Sequence, residues 1–386
     1  MTLLFWLSLL FIVYTYCGYP ILLIIWTVVA GQKIEKRYIK PEPSVSVIIA
    51  ARNEERNLYN RLQNLVKQDY PANKLEIIVI SDGSTDQTQK VAESFIVDYQ
   101  AQNLDSGHIA NIKLIVVEES MGKPHALNLA VRQSKGELLL FTDARQWFES
   151  SAIRELVANF NDSSVGSVSG ELVFADDNHQ SIREEMNIYW NLEKSIRKME
   201  SAIESVAGAT GAIYAIRREL FVPIPLESLL DDLYVPMMVV LQGYRNVFDS
   251  GAVAYDRASK DLRQEKMRKI RTLLGNYQIL HQLPWLLSPI KNPIFFRYLS
   301  HKLLRLIIPF FYIILMVTSF MVEGFFYKIV LILSIILILL AFTKNMFSSI
   351  PFFGSLSKFA RTFVIFNYFA VIAFIYYIFP INRKIW

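Results

Sequence analysis

Cysteine is nearly absent from this chain of 386 residues: Cys17 stands alone, so no intramolecular disulfide is possible. Cys/His groups at zinc-ligand spacing, internal repeats and low-complexity tracts are missing too. Charge is scarce, with 19% Asp, Glu, Lys and Arg against 53% hydrophobic residues, and the mean hydropathy is +0.28. A soluble enzyme of this size is excluded by that balance, which points to membrane segments joined to a soluble part. Residues 1–32 carry no charged side chain. At about 1.5 Å per residue, such a run exceeds the roughly 30 Å hydrocarbon core of a bilayer. A cleaved signal peptide competes with a retained helix here, since Val28–Gly31 offers a weak cleavage site. No Lys or Arg precedes the run, however, and it is too long for a signal peptide.

Three further apolar runs, Leu306–Val322, Phe325–Thr343 and Thr362–Asn382, are interrupted only by Lys328. Basic residues flank these segments: Lys33, Lys36, Arg37 and Lys40, then Lys302 and Arg305, then Lys344, Lys358 and Arg361 in a loop without an acid. With four crossings all three clusters share one side, and the positive-inside rule makes residues 33–305 cytoplasmic. Arg383 and Lys384 fall outside and count against this. The net charge of +5 sits mostly in these clusters, which suits anionic lipid in a bilayer and implies no nucleic acid partner.

Between the apolar ends the pattern changes. "SVSVIIA" at 44–50 begins a series of apolar strands, at 45–50, 75–81, 112–118 and 137–143. Helix-compatible stretches separate them at Glu54–Gln68, Thr85–Tyr99 and Pro124–Gln133. Strands apolar on both faces and separated by helices indicate a mostly parallel α/β sheet, and ligands bind such sheets beyond the carboxyl ends of the strands. Every one of those ends is polar: "AARNEE" (50–55), "SDGSTDQT" (81–88), "MGKPHALNLA" (121–130) and "FTDARQ" (141–146). One such ending is an ordinary turn. Four in succession on one edge describe a binding site.

The order of "VIIAARNEE", "IIVISDGSTDQT", "GKPHALNLA", "LLLFTDA", "GATGAIYAIRRE" and "LLDDLYVP" resembles the inverting nucleotide-sugar glycosyltransferases of family 2, which have a GT-A-type fold. The membrane-embedded members, such as cellulose, hyaluronan and poly-N-acetylglucosamine synthases, are the most similar. The resemblance runs from about Ser44 to Ser300. It implies an N-terminal transmembrane helix at 1–32, a basic linker at 33–43 and a cytoplasmic glycosyltransferase domain at 44–259. Amphipathic membrane-interface helices follow at 260–305, then three transmembrane helices at 306–386. The chemistry implied is transfer of a sugar from a nucleotide sugar, UDP-linked, to a glycan or lipid-linked acceptor at the cytoplasmic face of the cell membrane, as in exopolysaccharide or glycolipid synthesis.

Carried over by residue, the resemblance puts Asn53 and Glu54 in the uridine pocket and Asp82 on the uracil edge, where a carboxylate accepts from a ring N–H. Asp86 has a turn or cap role as an equal alternative. Lys123 reaches either the nucleotide phosphates or a carboxylate of the pocket, and Asn128 lies about one turn further along the same helix. Gly211 belongs to the segment that borders the acceptor. Asp231 and Asp232 match the family's acidic pair, with Asp232 the general base on the acceptor hydroxyl and Asp231 its neighbour; by chemistry alone, two acids at a helix start are also good caps.

Residues 260–305 hold ten Lys or Arg and two acids among aromatic and aliphatic clusters, a composition suited to helices at a membrane surface. Many processive members carry Gln-x-x-Arg-Trp here. This chain has Gln264 and Arg268, then Lys269 in place of tryptophan, which leaves Arg268 and Arg271 as leaving-group cations and puts processivity in doubt. At "FTDARQ" the family commonly shows Asp-x-Asp, whose acids hold Mg2+ or Mn2+; here Arg145 replaces the second acid. Asp143 alone is then the metal ligand, in a weak, nucleotide-dependent site, because Mg2+ often needs only one or two carboxylates plus phosphate oxygens. Arg145 either meets the diphosphate itself or turns away to solvent or a nearby acid. Because of that arginine, a membrane scaffold that kept the fold and lost catalysis stands as the competing class of function.

Overall fold

A computed structural model describes residues 1–32, 34–38, 40–103, 109–175, 187–257, 262–343 and 351–379. The chain divides into two compact units, Trp26–Ala258 and Met1–Ile25 with Ser259–Trp386. The first helix, α1 (Thr2–Ala30), runs through the uncharged N-terminal stretch.

The Trp26–Ala258 unit is a mixed α/β domain built on one eight-stranded sheet. Four strands, β1 (Val45–Ala51), β2 (Leu75–Asp82), β3 (Asn111–Val117) and β4 (Leu138–Asp143), lie parallel in the order β3-β2-β1-β4. On β4 the sheet changes direction. It continues through β7 (Tyr214–Arg217), antiparallel to β4, then β6 (Val165–Ala175), β8 (Arg245–Arg257) and the short β5 (Trp147–Phe148). Strands β1, β2 and β4 are buried on both faces, as their unbroken apolar runs require.

Helix α2 (Leu58–Val66) buries Leu58, Leu62 and Leu65, one helical stripe, in a core shared with Val45, Val47 and Ile49. It begins four residues later than the sequence pattern predicts. The main-chain N–H groups of Glu54 and Glu55 donate instead to Thr88 Oγ1 (2.7 Å) and Asp86 Oδ2 (3.2 Å), which ties this segment across to the next strand's loop. Helix α3 (Thr88–Gln102) starts late for the same reason: Thr85 N donates to Asn53 Oδ1 (2.8 Å), and Asp86 accepts from Thr88 N (2.9 Å). Helices α4 (Lys123–Gln133), α5 (Ala152–Ala158), α6 (Asn187–Ile203) and α7 (Asp231–Leu241) complete the unit. The linker that precedes β1 is docked on it. Lys36 is paired with Glu155 and, at 2.7 Å, with Asp249, so this cation serves the domain although its place in the sequence suggested a membrane flank. Lys33 lies outside the described residues.

The other unit consists of helices: most of α1, α8 (Leu262–Gln282), α9 (Phe295–Met321), α10 (Phe325–Phe342) and α11 (Pro351–Ile378). Helices α1, α9, α10 and the Leu356–Ile378 part of α11 are long and apolar enough to cross a membrane. Helix α9 starts eleven residues before the apolar run expected at Leu306. Within this unit Trp6 stacks on Phe326, Phe11 on Phe311 at 4.8 Å, and the Tyr14 and Ser300 hydroxyls are 2.8 Å apart. Phe320, Phe325 and Phe342 stay largely exposed, as lipid-facing side chains would. Residues 344–350 of the basic loop, the domain boundary expected at 259/260, and Arg383 and Lys384 lie outside the described residues.

The register sets the carboxyl ends level: Ala50 of β1 pairs with both Ile80 of β2 and Asp143 of β4. Beyond β2, Gly83 turns with φ +61° and passes so close to the loop after β3 that a Cβ would lie 2.3 Å from Ser120 N. A left-handed backbone costs an ordinary residue about 1–2 kcal/mol before any clash. Gly83→Ala is therefore expected to lower the melting temperature of the protein by about 4 °C or more. An unchanged melting temperature would show that the chain is not seated there.

Candidate functional site

The Gly83 crossing delivers Asp82 to the 119–122 loop. Its buried carboxylate accepts from Ser120 Oγ, Met121 N and Gly122 N, each at 2.9 Å. Asp82, read from the sequence as a nucleotide contact, is here the anchor of the loop that launches α4. The first residue of α4 is Lys123. Its ammonium lies 3.1 Å from Asp143 Oδ1 at the end of β4 and 3.2 Å from Asp231 Oδ1 at the start of α7. Burial alone would lower the pKa of this lysine, but the charges of Asp143, Asp231 and Asp232 outweigh that and hold it above the ordinary value. One cation thus ties three segments that are distant in sequence.

Asp231 and Asp232 differ in surroundings. Asp231 is buried, and its other oxygen accepts from the Tyr214 hydroxyl at 3.3 Å. Burial, followed by the two neighbouring carboxylates, pushes Tyr214 well above the ordinary phenol value, so the hydroxyl keeps its proton. Asp232 is half-buried. The turn before β7 wraps it: Ala209 N donates to the Asp232 carbonyl at 2.7 Å, and a Cβ on Gly211 would sit 2.8 Å from Asp232 Oδ2. Glycine at 211 is what allows this approach.

Arg145 does not point at open solvent. Its Nε donates to Asp256 Oδ2 on β8 at 2.8 Å, and Gln146 Nε2 donates to the same oxygen at 3.0 Å. Burial opposes the arginine's charge, but Asp143 and Asp256 together keep its pKa above the usual value. Beneath Asp143 lies a second arginine that the sequence reading passed over. Arg61 is fully buried; it donates to Asn64 Oδ1 and Thr142 Oγ1, both at 2.8 Å, and stacks on Phe148 at 3.9 Å. Burial pushes it down to about 9, with the Asp143 charge opposing. The signal was present: Arg61 stands at i+3 in the stripe Leu58, Leu62, Leu65, where an apolar residue belongs. Tyr214 and Asp256 gave no local signal, since each acquires its partner from a segment distant in sequence, Asp231 and Arg145 respectively.

The remaining expected residues take varied places. Asn53 adopts φ +56°, and its side-chain oxygen accepts from Thr85 N and Oγ1. Glu54 accepts from Asn57 at 2.6 Å; burial raises its pKa, Asn57 and Arg145 pull it back, and Asp143 and Asp86 push it up. Asp86 caps α3 through Thr88 and is held below the usual carboxylate range by those hydrogen bonds, against its own burial. Asn128 is a clip: its amide donates to Ile224 O (2.8 Å) and accepts from Ile224 N (2.9 Å). Arg268 and Arg271 lie on α8 in the helical unit. Lys269, at the expected tryptophan position, sits over the Phe366 ring at 4.7 Å in that same unit.

Among the described residues no group of three or more His, Cys, Asp and Glu side chains is gathered for a metal ion. Asp256 is engaged by Arg145, and Asp143, which also meets Lys123, is the carboxylate that the end of β4 presents to a divalent cation. That donor set fits a cation that brings phosphate oxygens and waters with it. A cleft of about 760 Å³ opens elsewhere, beside Pro43, Lys135, Leu138 and Arg217, and contains none of these carboxylates. We place the chemistry at the charged strand ends, where Lys123 meets Asp143 and Asp231 beside Asp232.

Residues 46–223 match the family model described as Glycosyl transferase family 2. The chain is 31% identical over 139 residues to an N-acetylglucosaminyltransferase of Bradyrhizobium elkanii, a match covering 35% of this chain and 70% of that protein. It is 29% identical over 167 residues to glycosyltransferase AglE of Haloferax volcanii, covering 42% of this chain and 50% of that one. The chain spans about half the length of AglE and of other curated relatives it matches. Among solved structures, mannosyltransferase PcManGT from Pyrobaculum calidifontis, in complex with GDP-Man and Mn2+, aligns with a TM-score of 0.73 over 98% of this chain and 99% of that one. At 20% identity that likeness is one of fold.

The Lys123 bridge has a measurable consequence. Lys123→Met leaves two carboxylates without their shared cation, and removal of one partner of a buried pair costs about 3–5 kcal/mol. With the lysine side chain 23% exposed, the lower end, about 3 kcal/mol, is expected. Adding Asp231→Asn should recover part of that loss in thermal unfolding; strictly additive losses would contradict the pairing.

Proposed function

We propose, from the premise that the chain belongs to glycosyltransferase family 2, that it transfers a sugar from a UDP-linked donor to a hydroxyl of a glycan or lipid-linked acceptor, with inversion at C1. The observation that carries this reading is the accessible Asp232 carboxylate, set by its buried twin beside a lysine that also reaches Asp143. Asp232 takes the proton of the acceptor hydroxyl as that oxygen bonds to C1 of the sugar. The C1–O bond to the diphosphate breaks on the opposite side, and its electron pair leaves with the nucleoside diphosphate. Lys123 turns its ammonium to the diphosphate oxygens, and Arg145, anchored by Asp256, adds positive charge beside them. Asn53 and Glu54, with the loop that Asp82 anchors, form the nucleoside side of the pocket. Asp143 would hold a Mg2+ or Mn2+ ion, which would supply positive charge to neutralise the leaving diphosphate.

Among the described residues four helices are long and apolar enough to cross a membrane, and the basic residues that flank the apolar runs in the sequence support a cell-membrane protein whose catalytic unit faces the cytoplasm. Lys269, packed over Phe366, leaves no tryptophan at that position to stack a growing chain, which favours addition of one or a few sugars.

Two substitutions separate catalysis from folding. Asp232→Asn should leave donor affinity unchanged and lower turnover by about 10²–10⁴-fold, the usual cost of removing a general base. Gly211→Ala should do so more mildly at an unchanged melting temperature, since the new methyl displaces only the end of the Asp232 side chain. Radiolabelled sugar transfer by membranes containing each variant measures both. An Asp232→Asn protein as active as wild type would overturn the assignment.

A further inference from the structure

Composition placed helices across 260–305, yet the stretch between α8 and α9 is not helical throughout. It is a connection, 283–296, with a single 3-10 turn at Pro284–Leu287. Lys291 is its one charged residue, and prolines at 284, 289 and 293 interrupt it. Its side chains divide. Leu283, Leu286, Asn292 and Ile294 are buried, whereas Leu287, Ile290 and Phe296 are exposed, Ile290 by 93%. Single apolar residues at a surface are ordinary, but three on one short connection mark a contact surface.

The main chain shows what kind of surface this is. The N–H groups of Leu286, Ser288, Lys291, Asn292, Ile294 and Phe295 donate to acceptors inside the connection, at 2.9–3.3 Å. The Asn292 side chain also donates to Leu286 O at 2.9 Å, and the prolines bring no N–H at all. Water, or a partner protein with polar groups of its own, would satisfy such donors without this arrangement. At a hydrocarbon boundary they must be satisfied from within the chain. The other features agree. Tryptophan and lysine, here Trp285 and Lys291, are residue types that settle where headgroups meet acyl chains. The connection also leads directly into α9, which is long and apolar enough to cross a membrane. Irregular backbone does not face lipid deep in the hydrocarbon core, so the seat is shallow.

We infer that the 283–296 connection is a shallow membrane wedge, with Leu287, Ile290 and Phe296 entering the acyl chains just below the headgroups, beside the start of α9. This rests on the reading of the apolar helices as membrane spans. A second copy of the chain is the weaker occupant, because the connection has spent most of its main-chain donors on itself.

The test uses the full-length protein with Cys17→Ala, reconstituted in vesicles of phosphatidylcholine and phosphatidylglycerol. One cysteine is added at a time and carries an environment-sensitive fluorophore. Ile290→Cys and Leu287→Cys sample the wedge at exposed positions, where substitution leaves the core intact. Leu333→Cys, exposed midway along α10, samples a span, and Val97→Cys, exposed on α3, samples water. Lipids bearing a nitroxide either near the headgroup or deep in the acyl chain then quench the emission. Both wedge labels should lose more emission to the shallow nitroxide than to the deep one. Leu333→Cys should show the reverse order, and Val97→Cys should respond to neither. Wedge labels as unquenched as Val97→Cys, or quenched more by the deep nitroxide, would overturn the inference. Energy transfer between copies labelled at Ile290→Cys, without quenching, would overturn it in favour of a second copy. Leu333→Cys keeps the two claims apart. If it is quenched while the wedge labels are not, only the wedge fails; if it too is unquenched, the membrane reading fails.

Discussion

One ammonium group organises the catalytic edge. Lys123 is the contact through which the end of β4, the start of α4 and the start of α7 come within hydrogen-bond distance of one another. Its position depends on the 119–122 loop, that loop depends on three hydrogen bonds to Asp82, and Asp82 is delivered by a glycine turn that admits no side chain. Carboxylates brought together on a half-buried edge repel one another unless a cation stands between them. Lys123 fills that role, and it is also the group best placed to meet the phosphates of a donor.

The parallel half of the sheet was legible in the sequence because its signals are local. Strands β1 to β4 lie within about one residue of where unbroken apolar runs end in polar turns, and Asp143 stands at the strand end that its motif suggested. Helix starts were misjudged where side chains compete with helix hydrogen bonding: Asn53, Asp86 and Thr88 take main-chain donors that a regular first turn would have used. The strands β6 to β8, among which β7 runs antiparallel to its neighbours and β6 and β8 pair in parallel, were not legible at all. Their pairing joins residues tens of positions apart, and β6 and β8 carry register shifts that break any alternating pattern.

The same division holds within the site. Asp143, Lys123, Asp231 and Asp232 were named from motifs, and the fold gathers them. Asn128 has the composition of a ligand-binding residue and the geometry of a structural clip, because the Ile224 main chain occupies its amide. Arg145 looked like a defect in a metal motif. It proves to be one half of a pair with Asp256, a partner 111 residues away that no linear reading of "FTDARQ" could supply. Arg61 was missed because a buried arginine looks, in sequence, like helix surface. It is held by hydroxyl, amide and ring contacts.

In the proposed mechanism Lys123 passes from the two aspartates to the donor. Titration calorimetry of the full-length protein with UDP and Mn2+, comparing wild type with Lys123→Gln, tests this most directly. The expected result is nucleotide affinity weakened by about tenfold or more, the scale of a lost charge-assisted hydrogen bond, with the binding stoichiometry retained. Equal affinity in the two proteins would show that Lys123 is only a strut between Asp143 and Asp231, and would contradict the handover on which the proposed mechanism rests.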